Sequence, residues 1–437
     1  MPAGYRTILH SDLNSFFASV EIVLNPALRG QAVAVCGAQE DRHGIVLAKS
    51  EAAKRAGIKT GMANWQALQL CPRLVIVHPH YAQYRRYSEI VRGIYLRYSD
   101  LVEPYGMDEC WLDVGASRLI AGDGRQIAED IRRTVKKETG LTVSVGVSFT
   151  KSFAKLGSDL KKPDAVTELT PQNFRAQVWP LPVGELIFAG RATTRKLYQY
   201  GIRTIGDLAR APEDFIQRLL GKNGLKLRQA ANGRDESRVM PTDCLIPVKS
   251  LSHGTTCTAD LHSGDEIRRL ILHLTQKLGG RLLENDLRAF GVSLCVRDSH
   301  LLFHSYQGNL DTPTQNPALL ARACWQLFQR HYHWPAPVRA LTVGATKLAS
   351  ARLPYQLGLF DAYTDGTSLA APAAAPSLLS DPLLPADAAE RQEAFCRTVE
   401  KIRQKFGAQS LRPASLLDQL PLPKIPNESR MPNKMYI

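Results

Sequence analysis

The chain has 437 residues, more than one hydrophobic core can organise, so several domains are expected. Lys and Arg outnumber Asp and Glu by 55 to 41, and the net charge of +14 favours a polyanionic partner through release of counterions from phosphates. The eight cysteines form no CxxC pair, which argues for buried thiols in a reducing cytoplasm rather than disulfides or a zinc site. The amino terminus shows no basic-then-apolar leader and no run reaches membrane-spanning length, so a soluble cytoplasmic protein without a membrane partner is expected.

In chain order, Thr7–Ser11 reads as a strand that ends on Asp12, followed by a helix carrying Phe16, Phe17, Val20 and Glu21. Short strands are expected at Gln31–Cys36 and Gly44–Leu47, with a basic helical segment from Lys49 to Gly57. A hairpin follows, Leu101-Val102 leading in and Cys110-Trp111-Leu112 leading out, with Asp108 and Glu109 at its turn. Ile127, Ile131 and Val135 mark a helix that stops at Gly140; Val143, Val145, Val147 and Phe149 alternate as a strand, and another helix starts at Lys151. These elements predict a βαββαβ sheet with helices on one face and residues 16–81 inserted.

From about 170 to 237 short helices are separated by Gly190, Gly201 and Gly206, and Met240–Val248 reads as an extended linker. Beyond it the spacing of Ile267, Leu270, Ile271, Leu274, Leu278 and Leu282 predicts an amphipathic helix. A hairpin turning near Asp298-Ser299, a helix through Trp325 and a strand at Leu341–Val343 then repeat the βαββαβ order. Leu369–Ala389 is an Ala, Pro, Ser and Leu tract expected to be disordered, and a basic amphipathic helix is expected from Glu390 to Phe406.

Asp12, Asp108 and Glu109 thus arrive at strand ends from two separated segments. Carboxylates converging in this way can bridge two hard cations, the usual device for displacement at phosphorus. An Asp-Glu pair in a turn is more often solvated surface, so neither segment persuades alone. Asp113 has the opposite facing parity to Asp108 along the strand and is read as structural.

Read together, His10–Glu21, Gly106–Asp113 and Ser144–Lys155 through Lys161-Lys-Pro-Asp164 resemble the Y-family translesion DNA polymerases, most closely the DinB branch. The resemblance covers residues 6 to about 350. It implies an α+β right-hand architecture: a βαββαβ palm (1–15 and 82–169), small fingers (16–81), a helical thumb (170–237), a linker (238–247), a βαββαβ little finger (248–349) and a largely disordered tail (350–437). The implied activity is low-fidelity, template-directed DNA synthesis past damaged bases, on primer–template DNA and dNTPs, by a monomer using two Mg²⁺ ions. Asp12, Asp108, Glu109 and the main-chain carbonyl of Leu13 match the family's metal ligands. Asn14, Ser15, Phe16 and Phe17 would open a helix whose free N–H groups suit the triphosphate, and Phe17 falls at the steric gate that excludes a ribose 2′-hydroxyl. Lys162 matches the palm lysine that meets phosphate. In the fingers the family's Thr, Tyr and Arg are replaced by Ala48, Glu51 and Lys54, of which Lys54 keeps the charge without the fork of an arginine and Lys49 is a substitute. The thumb's paired-glycine hairpin is reduced to Phe188-Ala-Gly190.

Tyr355–Phe360 resembles the peptide that docks on the bacterial sliding clamp, with Gln356, Leu357, Leu359 and Phe360 as contacts; Gln419–Leu422 is a poorer copy. Two rivals are a catalytically weak DNA-binding scaffold recruited by the clamp and a nucleotidyl cyclase on a related palm. The three carboxylates argue against the first, and the little-finger-like unit and clamp peptide against the second.

Overall fold

A computed structural model describes residues 6–38, 42, 44–117, 122–244, 247–353, 386–407, 410–416 and 420–422, with the side chains of 311, 386–390 and 392 excepted. The clamp-like peptide 355–360 and the tract 369–385 lie outside the described residues. The chain divides into two units, one built on 6–37 and 44–244, the other on 247–353 and the described carboxy-terminal segments.

The first unit is organised by a five-stranded sheet in the order β5-β6-β1-β7-β8, formed by β1 (Ile8–Leu13), β5 (Val102–Tyr105), β6 (Glu109–Asp113), β7 (Val143–Ser148) and β8 (Val166–Leu169). Strand β1 is central and antiparallel to both β6 and β7, and all of its residues are buried. Three helices flank this sheet and share its core: α1 (Phe16–Leu24), α4 (Tyr81–Tyr95) and α5 (Gly124–Thr139). Helix α5 forms where the apolar spacing required it. Asp123 and Gln126 close a capping box at its start and Gly140, at φ 74°, ends it in the left-handed region that favours glycine.

Helix α6 (Lys151–Leu160), capped by the Thr150 hydroxyl, packs closely on β7. The approach is permitted by Gly146, where a Cβ would stand 1.9 Å from the Ala154 carbonyl oxygen and 2.5 Å from the Ser158 nitrogen.

The inserted segment makes its own sheet, in the order β3-β2-β4, from β2 (Val33–Cys36), β3 (Val46–Lys49) and β4 (Val75–Val77), with helices α2 (Glu51–Arg55) and α3 (Asn64–Leu70). One expectation changes here. Lys49 ends a strand and the helix begins at Glu51, because Ser50 is an N-cap whose hydroxyl accepts from the Ala53 nitrogen. Helix α1 buries Phe16, Ala18 and Val20 in the five-stranded sheet's core, which Val35 of β2 and Ala48 of β3 also join, so α1 packs on both sheets.

Helices α7 (Phe174–Val178), α8 (Arg191–Gln199), α9 (Ile205–Arg210) and α10 (Glu213–Ala231, broken at Gly221) close on Phe149, Phe153 and Leu156. The expected linker is extended but held: the Met240 nitrogen donates to Glu103, Thr242 to the Val102 carbonyl, and Val239 is buried against Ile8 and Trp111.

In the second unit the strands β9 (Ser250–Leu261), β10 (Leu287–Asp298), β11 (Phe303–Thr314) and β12 (Val338–Ser350) form an antiparallel sheet in the order β11-β10-β12-β9. Helices α11 (Gly264–Glu284) and α12 (Pro317–His331) cover one face. The terminal helix α13 (Ala386–Phe406) starts four residues before its expected start, inside the tract read as disordered. It is held on this unit: Arg403 donates to Gln276 and Arg288 pairs with Glu393. Farther on, the Thr258 nitrogen donates to the Pro421 carbonyl at the β9 edge. The described parts of the tail, the expected helix among them, are therefore held on this unit.

Candidate active site

Strand pairing brings the carboxylates together. Asp12 on β1 is in direct register with Glu109, the first residue of β6, and the Leu13 nitrogen donates to the Asp108 carbonyl at 2.9 Å. Gly106, at φ 84°, allows the tight turn that carries Asp108. The expected trio is thus assembled at one end of the sheet, with Leu13 at the same strand end. Asp113 lies at the other end of β6, opposite Ile8, where its carboxylate accepts from the Gly115 nitrogen.

Helix α6 and the turn after it place two ammonium groups on this cluster. Lys155 Nζ lies 3.2 Å from Asp12, 3.0 Å from Glu109 and 3.3 Å from Asp159. Lys162 Nζ lies 2.6 Å from Asp12 and 2.8 Å from Asp159. Sequence reasoning found Lys162 and missed Lys155 and Asp159. The i, i+4 spacing of Lys155 and Asp159 on α6, with Lys162 three residues further on just past the helix end, was the available signal. His10 was missed as well. It is fully buried, with Nδ1 2.9 Å from the Ser158 hydroxyl and Nε2 3.2 Å from Glu109. Burial and then the Lys155 charge lower its pKa to about 3, so it is a neutral imidazole.

Burial raises the pKa of Asp12, and burial with the charges of Asp12 and Glu109 raises that of Asp108 to about 7. For both lysines burial acts in the lowering direction, but the facing carboxylates outweigh it and hold them protonated. Among the described residues no three His, Cys, Asp or Glu side chains are drawn together closely enough to hold one ion as they stand. The fit is chemical. The three groups are hard oxygen donors, a cation already sits between Asp12 and Glu109 in the form of Lys155, and Asp108 carries the uncompensated repulsion that a divalent ion relieves.

Around this cluster the other candidates divide. Ser15 precedes α1 with φ 49° and caps it with no side-chain bond; its hydroxyl donates to Glu51 at 3.2 Å. Glu51 is therefore turned toward the site and not simply into solvent. Asn14 faces inward, donating to Ser144 and accepting from the Asp164 nitrogen, so its side chain joins β1 to β7 and to the Lys162 turn. Phe16 is buried, whereas Phe17 is half-buried and stacks on Tyr84 with ring centroids 4.1 Å apart. Lys54 is exposed, and Lys49 donates to Thr60. Phe188, at φ 70° and 78% exposed, stands at the tip preceding α8, a conformation a glycine would adopt without strain.

Comparison with known proteins identifies the family. Residues 11–159 match the impB/mucB/samB family and residues 248–359 match the impB/mucB/samB family C-terminal domain. DNA polymerase IV of Acetivibrio thermocellus is 42% identical over 96% of this chain and 100% of its own length. DNA polymerase IV 1 of Bacillus subtilis is 32% identical over 95% of this chain and 94% of its own. A Y-family DNA polymerase chimera of known structure shares the fold, with a TM-score of 0.69 at 21% identity over 79% of this chain and 99% of its own. The chain belongs to the Y-family DNA polymerases, in the DNA polymerase IV group. It is a DNA-directed DNA polymerase of the translesion class. Among the described residues no helix is long and apolar enough to cross a membrane.

Proposed function

We propose that Asp12, Asp108, Glu109 and the Leu13 carbonyl hold two Mg²⁺ ions for template-directed nucleotidyl transfer of low fidelity. The observation that carries this reading is the convergence of the three carboxylates across the β1–β6 register. Bound there, the ions would lower the pKa of the primer 3′-hydroxyl and neutralise charge on the triphosphate. The protein's own groups then bind and orient. The N–H groups opening α1, which has no side-chain cap, suit the phosphates of a nucleotide. Lys162, bonded to Asp12 at the carboxylate cluster, supplies a point charge suited to a phosphate, with Lys54 a further contact. Phe17 forms the floor beneath the sugar.

In this reading the five-stranded sheet is the palm, the inserted sheet the fingers, the helices 174–231 the thumb and the second unit the little finger. Primer–template DNA and dNTPs are the substrates, met by a monomer in the cytoplasm. Gln356, Leu357, Leu359 and Phe360 form a peptide for a sliding clamp. The test is extension of a primed template with dNTPs and Mg²⁺, undamaged and with a minor-groove guanine adduct, by the full chain and by the Asp108→Ala variant. Bypass by the first and no extension by the second is expected. No extension by either would leave a DNA-binding scaffold.

A further inference from the structure

Glu21 is a buried carboxylate to which neither the metal cluster nor the DNA-facing groups assign a role. It lies one helical turn beyond Phe17 on α1, so the two side chains share a face. Both address one residue. The Phe17 ring stacks on Tyr84 at 4.1 Å and 10°, and the Glu21 carboxylate accepts from the Tyr84 hydroxyl at 2.5 Å. His80 Nδ1 lies 2.9 and 3.1 Å from the two Glu21 oxygens. His80 is also the residue before the first turn of α4, whose positive end favours a carboxylate there. Tyr84 is fully buried; its ring is packed by Phe17, Phe16 and Tyr81, and its hydroxyl is held by Glu21.

We infer that Glu21 is a positioning residue for nucleotide sugar selection: by fixing Tyr84 it sets the height of the Phe17 ring under the sugar, and hence the room left for a 2′-hydroxyl. The inference rests on the reading of Phe17 as the gate. Its physical basis is that a buried carboxylate is costly unless bonded, whereas an apolar side chain would fill the same space at less cost. The bond it accepts restrains Tyr84 at the hydroxyl, the end of the ring farthest from its backbone, and so opposes tilting of the ring. Tilting of that ring would lower or free the ring stacked on it.

The experiment measures kcat/KM for single insertions of dCTP and CTP opposite template guanine, for wild type and for Glu21→Ala, Glu21→Gln, Tyr84→Phe, Phe17→Ala and the Phe17→Ala/Glu21→Ala double variant. Discrimination against CTP should fall about tenfold or more in Glu21→Ala, the rate equivalent of one hydrogen bond to a charged acceptor. It should be kept by Glu21→Gln, which still accepts from the tyrosine, and should be reduced in Tyr84→Phe. In the Phe17→Ala background the Glu21 change should add nothing. If Glu21→Ala does not fold, Tyr84→Phe carries the test. Undiminished discrimination in Glu21→Ala, or an equal further loss in the Phe17→Ala background, overturns the positioning role while leaving the gate. Unchanged discrimination in Phe17→Ala removes the gate itself and the inference with it.

Discussion

Asp12 and Glu109 face each other in register, and Lys155 stands between them. Replacing Asp108 or Glu109 by Ala should lower primer extension by about a thousandfold or more, while a gel-shift measurement of primer–template affinity changes little because that affinity comes from basic surface. Removing Lys155 should act differently. In a Lys155→Met variant the clustered carboxylates lose a partly buried cation, and stability without metal should fall by up to about 3–5 kcal/mol. Thermal melts in EDTA and in Mg²⁺ check this: Mg²⁺ should raise the melting temperature of the variant more than that of wild type. At Phe17, substitution by Ala should raise ribonucleotide use relative to deoxyribonucleotide use by about 10–200-fold, the range for one added or removed group in a fitted pocket. Equal ratios in variant and wild type would place the gate elsewhere.

Among the elements, the contact between β7 and α6 decides whether the site exists at all. Lys155 and Ser158 are carried by α6, and Lys162 follows it; Asp12 is carried by β1, the neighbour of β7. Gly146 lets the helix and the sheet touch. A Gly146→Ala substitution would press a methyl group into helix backbone and not into a movable side chain, so a loss of about 3 kcal/mol or more is expected in denaturant unfolding. Activity should fall with it, since the two lysines would be pushed away from Asp12. Much of this element was legible beforehand. The apolar alternation from Val143 to Phe149 and the start at Lys151 were visible, but the closeness that makes Gly146 obligatory was not. A glycine in a strand signals close approach in general, and only the packed helix shows what approaches.

For the whole molecule, the role proposed for the tail is to link the folded units to a sliding clamp. If Gln356–Phe360 docks on a clamp, replacing Leu359 and Phe360 together by Ala should weaken clamp binding by about 2–4 kcal/mol or more and abolish the lengthening of products by added clamp, with unassisted synthesis unchanged. Equal lengthening of products in both proteins would move attention to the Gln419 segment.

The amino-acid sequence by itself determined what short-range rules reach. It marked most strands and helices of both βαββαβ units, though not α4, β8 or β9, and with them the carboxylates at the strand ends, Phe17 five residues after Asp12, and Lys162. These follow from periodicity, turn chemistry and motif spacing, which act within a few residues. The tertiary structure alone decided which distant groups meet. Neutral His10 against Glu109, Lys155 across Asp12 and Glu109, Glu51 on Ser15, and Glu21 on Tyr84 all pair residues from different elements. The docking of α13 on the second unit is of the same kind. Such pairs are made by the packing of one face on another, and no local pattern specifies which surfaces will share a core.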